Sequence, residues 1–101
     1  MAVVKVTMQN FDEFIGSGTA VVDFYADWCG PCRMVSPLID EIAQERDDIV
    51  VGKINVDDEP ELASEFGVFS IPTLVVIKNG EVKVNEAGAR PKAQILALLD
   101  R

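Results

Sequence analysis

A chain of 101 residues, 49% hydrophobic and 26% charged, makes one ordinary globular domain with a true core and is too short for two. Its formal net charge of −8 makes nucleic acid a poor partner, because most of the surface would repel a phosphate backbone. No basic leader precedes an apolar segment and nowhere do about 18 apolar residues run together, so neither export nor a membrane span is expected.

Val3 to Thr7 reads as a first strand, followed by a short helix from about Phe11, with Asn10 and Glu13 spaced as a capping pair. Ala20 to Ala26 is the next strand, and its nearly unbroken apolar character predicts cover on both faces. Trp28-Cys29-Gly30-Pro31-Cys32 follows directly. From Cys32 to about Arg46, the residues Val35, Leu38, Ile39, Ile42 and Ala43 fall on one helical face in the i, i+3, i+4, i+7, i+8 series. Pro37 lies inside that helix, where it removes one backbone donor and is expected to kink it.

Ile49 to Val56 is a third strand. Glu59 to Phe66 is a short helix with Pro60 in its first turn and Gly67 as its stop. Thr73 to Lys78 and Glu81 to Glu86 flank Asn79-Gly80, a two-residue hairpin signal that makes this pair antiparallel. Pro91 to Leu99 closes the chain as a helix whose Ile95, Leu96, Leu98 and Leu99 can cover a sheet face. With no repeat or linker to divide it, residues 1–101 are read as a single α/β domain of order βαβαβαββα. The expected architecture is a central mixed five-stranded sheet flanked by four helices.

Cys29 and Cys32 are the chain's only two cysteines, and there is no histidine. If Cys32 opens a helix, its Cα sits roughly 5–6 Å from that of Cys29, inside the window a disulfide tolerates. A ring this small restricts the unfolded chain little, so the pair suits exchange better than stapling. A zinc site is short of ligands, and a Gly-Pro insert before a helix argues against two inert packed thiols. Two cysteines are also too few for a secreted disulfide scaffold, which favours a reducing, cytoplasmic setting.

Beyond the pentapeptide, ordered landmarks run the length of the chain: Val22-Asp23-Phe24-Tyr25-Ala26, Pro37, Lys53-Ile54-Asn55-Val56-Asp57, Ser70-Ile71-Pro72-Thr73, Lys78-Asn79-Gly80 and Gly88-Ala89. With these the sequence resembles the thioredoxin family over essentially its whole length. The resemblance implies that family's fold and a protein-disulfide reductase that carries electrons and serves cell redox homeostasis. It holds no cofactor of its own. Its partners would be disulfide-containing proteins and a separate reductase, either NADPH- and flavin-dependent or ferredoxin-linked, and the chain itself would be monomeric.

Carried over residue by residue, the resemblance makes Cys29 the attacking thiol and Cys32 the resolving one. A position just before a helix, open to solvent, suits the first role, since backbone N–H groups there favour thiolate. Asp23, within an apolar strand, becomes a desolvated acid exchanging protons with Cys32, and Lys53 its ionic partner. A solvated strand position remains the alternative for each. Gly30 and Pro31 match the reducing branch of the family. The resemblance also implies a cis bond between Ile71 and Pro72, with free backbone groups beside the cysteines for an extended substrate. Trp28, Gly30, Pro31, Ile71, Pro72, Gly88 and Ala89 would form an apolar rim around Cys29, although Trp28 also reads as core. Two departures stand out: Tyr25 where many relatives have Trp, and Ala87 where a larger aliphatic is common.

Overall fold

The computed structural model describes residues 2–16 and 18–101. In chain order its elements are β1 (Val4–Lys5), α1 (Phe11–Ile15), β2 (Thr19–Tyr25), α2 (Gly30–Glu45), β3 (Ile49–Asn55), α3 (Pro60–Glu65), β4 (Thr73–Lys78), β5 (Glu81–Ala87) and α4 (Lys92–Leu98). They form a mixed five-stranded sheet in the order β1-β3-β2-β4-β5. β3 runs parallel to both β1 and β2, whereas β4 is antiparallel to β2 and β5.

Strand alternation divides the apolar residues between two cores. On one face Val21, Val51, Leu74 and Val76 meet Val35, Ile39 and Ile42 of α2 and Ile95 and Leu98 of α4. On the other, Ala20, Val22, Phe24, Ile54 and Val75 pack with Phe14 of α1 and Leu62 of α3. The central strand is therefore sealed on both sides, as its run of apolar residues requires. Asp23 shares its parity with Val21 and so belongs to the face that α2 covers.

Several local expectations are corrected by side-chain detail. The capping pair at α1 does not form. Asn10 turns its side chain back, accepting from the Thr7 N–H at 2.7 Å and donating to the Lys5 carbonyl at 2.9 Å. That turn also shortens the first strand to Val4–Lys5. α2 begins at Gly30 and not at Cys32, because Cys29 is its N-cap and Pro31 lies in the first turn, where a missing N–H costs nothing. The helix runs on through Pro37.

At the stop of α3, Gly67 has φ 63° and Val68 N–H reaches the Ala63 carbonyl at 2.8 Å. The β4–β5 turn places Asn79 and Gly80 at φ 51° and 81°, the left-handed pair that a tight hairpin demands.

Candidate functional site

The site forms where β2 ends and α2 begins. Cys29 is in extended backbone conformation, and its Sγ accepts a hydrogen bond from the Cys32 N–H at 3.2 Å. The first turn of a sixteen-residue helix is thus aimed at that sulfur, and the helix dipole favours negative charge there. The two cysteines are joined as a disulfide with their Cα atoms 5.3 Å apart.

The open position expected for Cys29 is corrected. Cys29 is 4% exposed and Cys32 3%, because Tyr25, Val56 and Ile71 pack against the pair. The Ile71 carbonyl oxygen sits 3.8 Å from Cys29 Sγ.

Of the residues expected to form the rim, Gly30, Pro31, Gly88 and Ala89 are exposed and Ile71 is half-buried. Trp28 is 69% exposed, which removes the core reading, and its indole Nε1 donates to Asp57 Oδ2 at 2.9 Å. The Ile71–Pro72 bond is cis. Pro72 itself is buried and contributes no rim surface. Its carbonyl is not free for a substrate either, since it accepts from the Gly88 N–H at 2.8 Å. Pro72 leads into β4 and Gly88 follows β5, and this bond ties the two ends together.

Asp23 is fully buried, and neither carboxylate oxygen has a hydrogen-bond partner among the described residues. Burial pushes its pKa up to about 7; the Lys53 charge opposes that rise and Asp40 adds to it. The expected ion pair with Lys53 does not form, although the two residues are register partners on β2 and β3. Lys53 Nζ instead donates to Ser36 Oγ, lies 3.8 Å from Asp40 Oδ1 and hangs 5.9 Å from the centre of the Tyr25 ring. A long side chain carries its ammonium toward the wetter, polar flank of α2, leaving only its stem beside the strand.

A cleft of about 180 Å³ runs alongside, lined by Tyr25, Ala26, Asp27, Cys32, Arg33 and Ser36. It brings solvent to the side of Cys32. Tyr25 is half-buried and forms one wall, with its hydroxyl held above the usual phenol pKa mainly by burial.

Sequence reasoning passed over four residues here. Ser36 and Asp40 follow Cys32 at i+4 and i+8, a spacing that places all three on one helical face and was legible. Asp57 lay within a quoted landmark without a role. Phe69, 99% exposed two residues before Ile71, carried no local signal of its exposure.

A disulfide between adjacent cysteines at a helix N-terminus fits dithiol–disulfide exchange. Among the described residues no helix is long and apolar enough to cross a membrane. The Thioredoxin family model matches residues 2–101. Proteins named thioredoxin from Staphylococcus haemolyticus and Bacillus subtilis are 48% and 43% identical to this chain, each alignment covering 100% of it and 98% of the relative. The thioredoxin of Chlamydia caviae is 38% identical over 95% of this chain and 94% of its own. A family match over nearly the whole chain, relatives of matching length and a Cys-Gly-Pro-Cys pair at the head of α2 give one answer: the chain belongs to the thioredoxin family.

Proposed function

We propose that this protein is a single-domain protein-disulfide reductase that carries two electrons per cycle from a reductase to client disulfides. Family membership implies both kinds of partner. The observation that carries the reading is the Cys29 sulfur capping α2 and receiving the Cys32 N–H, an arrangement that stabilises thiolate once the disulfide is opened.

In the reduced protein the Cys29 thiolate attacks one sulfur of a client disulfide. A Cys29–client disulfide forms, and the first client sulfur leaves as thiolate and takes a proton from solvent. Cys32 then gives its proton to the Asp23 carboxylate and attacks Cys29 Sγ, expelling the second client sulfur. The client ends as a dithiol and the protein as the Cys29–Cys32 disulfide, two electrons having passed between them. With no imidazole in the Gly30-Pro31 insert to stabilise a thiolate further, the dithiol is a good donor.

Trp28, Ile71, Gly88 and Ala89 form the apolar rim that admits many clients without selecting by charge. A separate reductase, NADPH- and flavin-dependent or ferredoxin-linked, restores the dithiol. The protein works as a cytoplasmic monomer.

Insulin reduction followed by turbidity, with dithiothreitol as electron source, tests the assignment. Wild type accelerates precipitation and Cys29→Ser does not, whereas Cys32→Ser accumulates a mixed disulfide visible by mass spectrometry. Activity surviving in Cys29→Ser overturns the roles given to the two sulfurs.

A further inference from the structure

Asp23 and Lys53 are register partners on adjacent strands, yet the ammonium is held elsewhere. Its neighbours are the Ser36 hydroxyl and the Asp40 carboxylate, both on α2. Both Asp23 oxygens are left without a hydrogen-bond partner among the described residues. We propose that Ser36 is a positioning residue whose hydroxyl, together with Asp40, holds the Lys53 ammonium on the α2 flank and off Asp23, so that Asp23 stays unpaired for proton exchange with Cys32. The proposal rests on the reading of Asp23 as the proton acceptor for Cys32.

The chemistry favours such a device. A carboxylate locked to an ammonium within about 4–6 Å is the weaker base by roughly 1–3 pKa units. An acceptor works best when its pKa is near the working pH. Burial raises Asp23 most and Asp40 adds to the rise, while Lys53 lowers it from a distance; where the amine is tethered sets how far. Ser36 and Cys32 both line the cleft, as does Tyr25 from the same face of β2 as Asp23, and its 180 Å³ is room enough for solvent.

The charges that act on Asp23 are Lys53 on β3 and Asp40 on α2; Tyr25 on β2 and Cys32 and Arg33 on α2 line the cleft. Asp27 lines it from the loop. Arg33 is committed to the Asp27 carbonyl at 3.0 Å, and raised Tyr25 stays neutral at working pH. Lys53 is therefore the cation whose position Ser36 controls.

The test is the titration of the Asp23 carboxyl carbon by NMR in the reduced protein, for wild type, Ser36→Ala, Ser36→Thr and Lys53→Met. Ser36→Ala frees the amine and lowers the Asp23 midpoint by about one pH unit. Ser36→Thr keeps the hydroxyl and leaves the midpoint in place. Lys53→Met raises it. In parallel, the acid limb of the insulin-reduction profile moves down with Ser36→Ala and not with Ser36→Thr.

A midpoint unmoved in Ser36→Ala, or moved equally by Ser36→Thr, overturns the role given to the hydroxyl. If Lys53→Met changes nothing, the amine does not act on Asp23 and the proposal fails. A pH profile indifferent to Asp23→Asn sinks the proton-acceptor reading instead, and the NMR midpoints still decide where Ser36 holds the amine.

Discussion

At its C-terminal end α2 is closed by paired charges over a packed core. Arg46 donates twice to Asp48, at 2.8 and 2.7 Å, and Lys92 of α4 reaches Glu41 at 3.2 Å and also Glu45. Beneath them Ile39 and Ile42 are fully buried. At the N-terminal end a carboxylate is buried with no hydrogen-bond partner among the described residues, while Trp28, Met34 and Phe69 stand in water.

Two aspartates sum up the contrast. Asp48 is held down to about 2, first by its hydrogen bond to Arg46, and Asp23 is pushed up to about 7 by burial. The same helix thus satisfies its polar groups where it only has to be stable. Around the cysteines, β2 carries an unpaired acid and the neighbouring segments expose apolar surface, both of which oppose stability and both of which disulfide exchange needs.

Emptying the packed end breaks the comparison most directly. Ile42→Ala removes a fully buried side chain and lowers stability in urea by about 2–5 kcal/mol. Exchange activity measured on the folded protein stays near wild type. A loss of activity without a loss of stability contradicts the division into two ends.

The unsatisfied end responds to pH. Folded Asp23 titrates at about 7, against an ordinary 3.8, so between those values the folded state holds a proton that the unfolded chain has released. Stability accordingly falls as pH rises from about 4 through 7, and the group's full cost, about 4 kcal/mol, is reached above 7. Asp23→Asn lacks this slope. In urea melts at pH 4.5 and pH 8, the variant gains on wild type at the higher pH, and a parallel loss in both proteins shows that Asp23 is not the source. Exchange at neutral pH is slower in the variant.

The exposed apolar rim gives the smallest change. Phe69→Ala leaves stability within about 0.5 kcal/mol and raises KM for a protein disulfide by about three- to tenfold, with a small-molecule disulfide turned over as before. Equal KM for both substrates removes Phe69 from the docking surface.

Much of the scaffold was legible because it depends on local period. The apolar run through β2 and the helical series Val35, Leu38, Ile39, Ile42, Ala43 each report their own burial, and Asn79-Gly80 reports its own turn. The cysteine spacing set the geometry of the pair, and Asp23 betrayed its burial by its neighbours in sequence.

Cover and side-chain direction were not legible. Asn10 had the right spacing for a cap and turned to Thr7 and Lys5 instead. Cys29 read as open, but Ile71, 42 positions on, closes over it. Trp28 could be placed only once Asp57 was brought beside it, and Lys53 turned to Ser36 and not to its register partner.

Composition and periodicity by themselves therefore determined the order of elements, the buried strand and the reactive pair at a helix start. Only the tertiary structure decided that both cysteines are covered, which aromatics stand in water and where the lysine amine rests. Backbone preference and hydrophobic period act over a few neighbouring residues, whereas these outcomes depend on groups that the sheet topology brings together from distant parts of the chain.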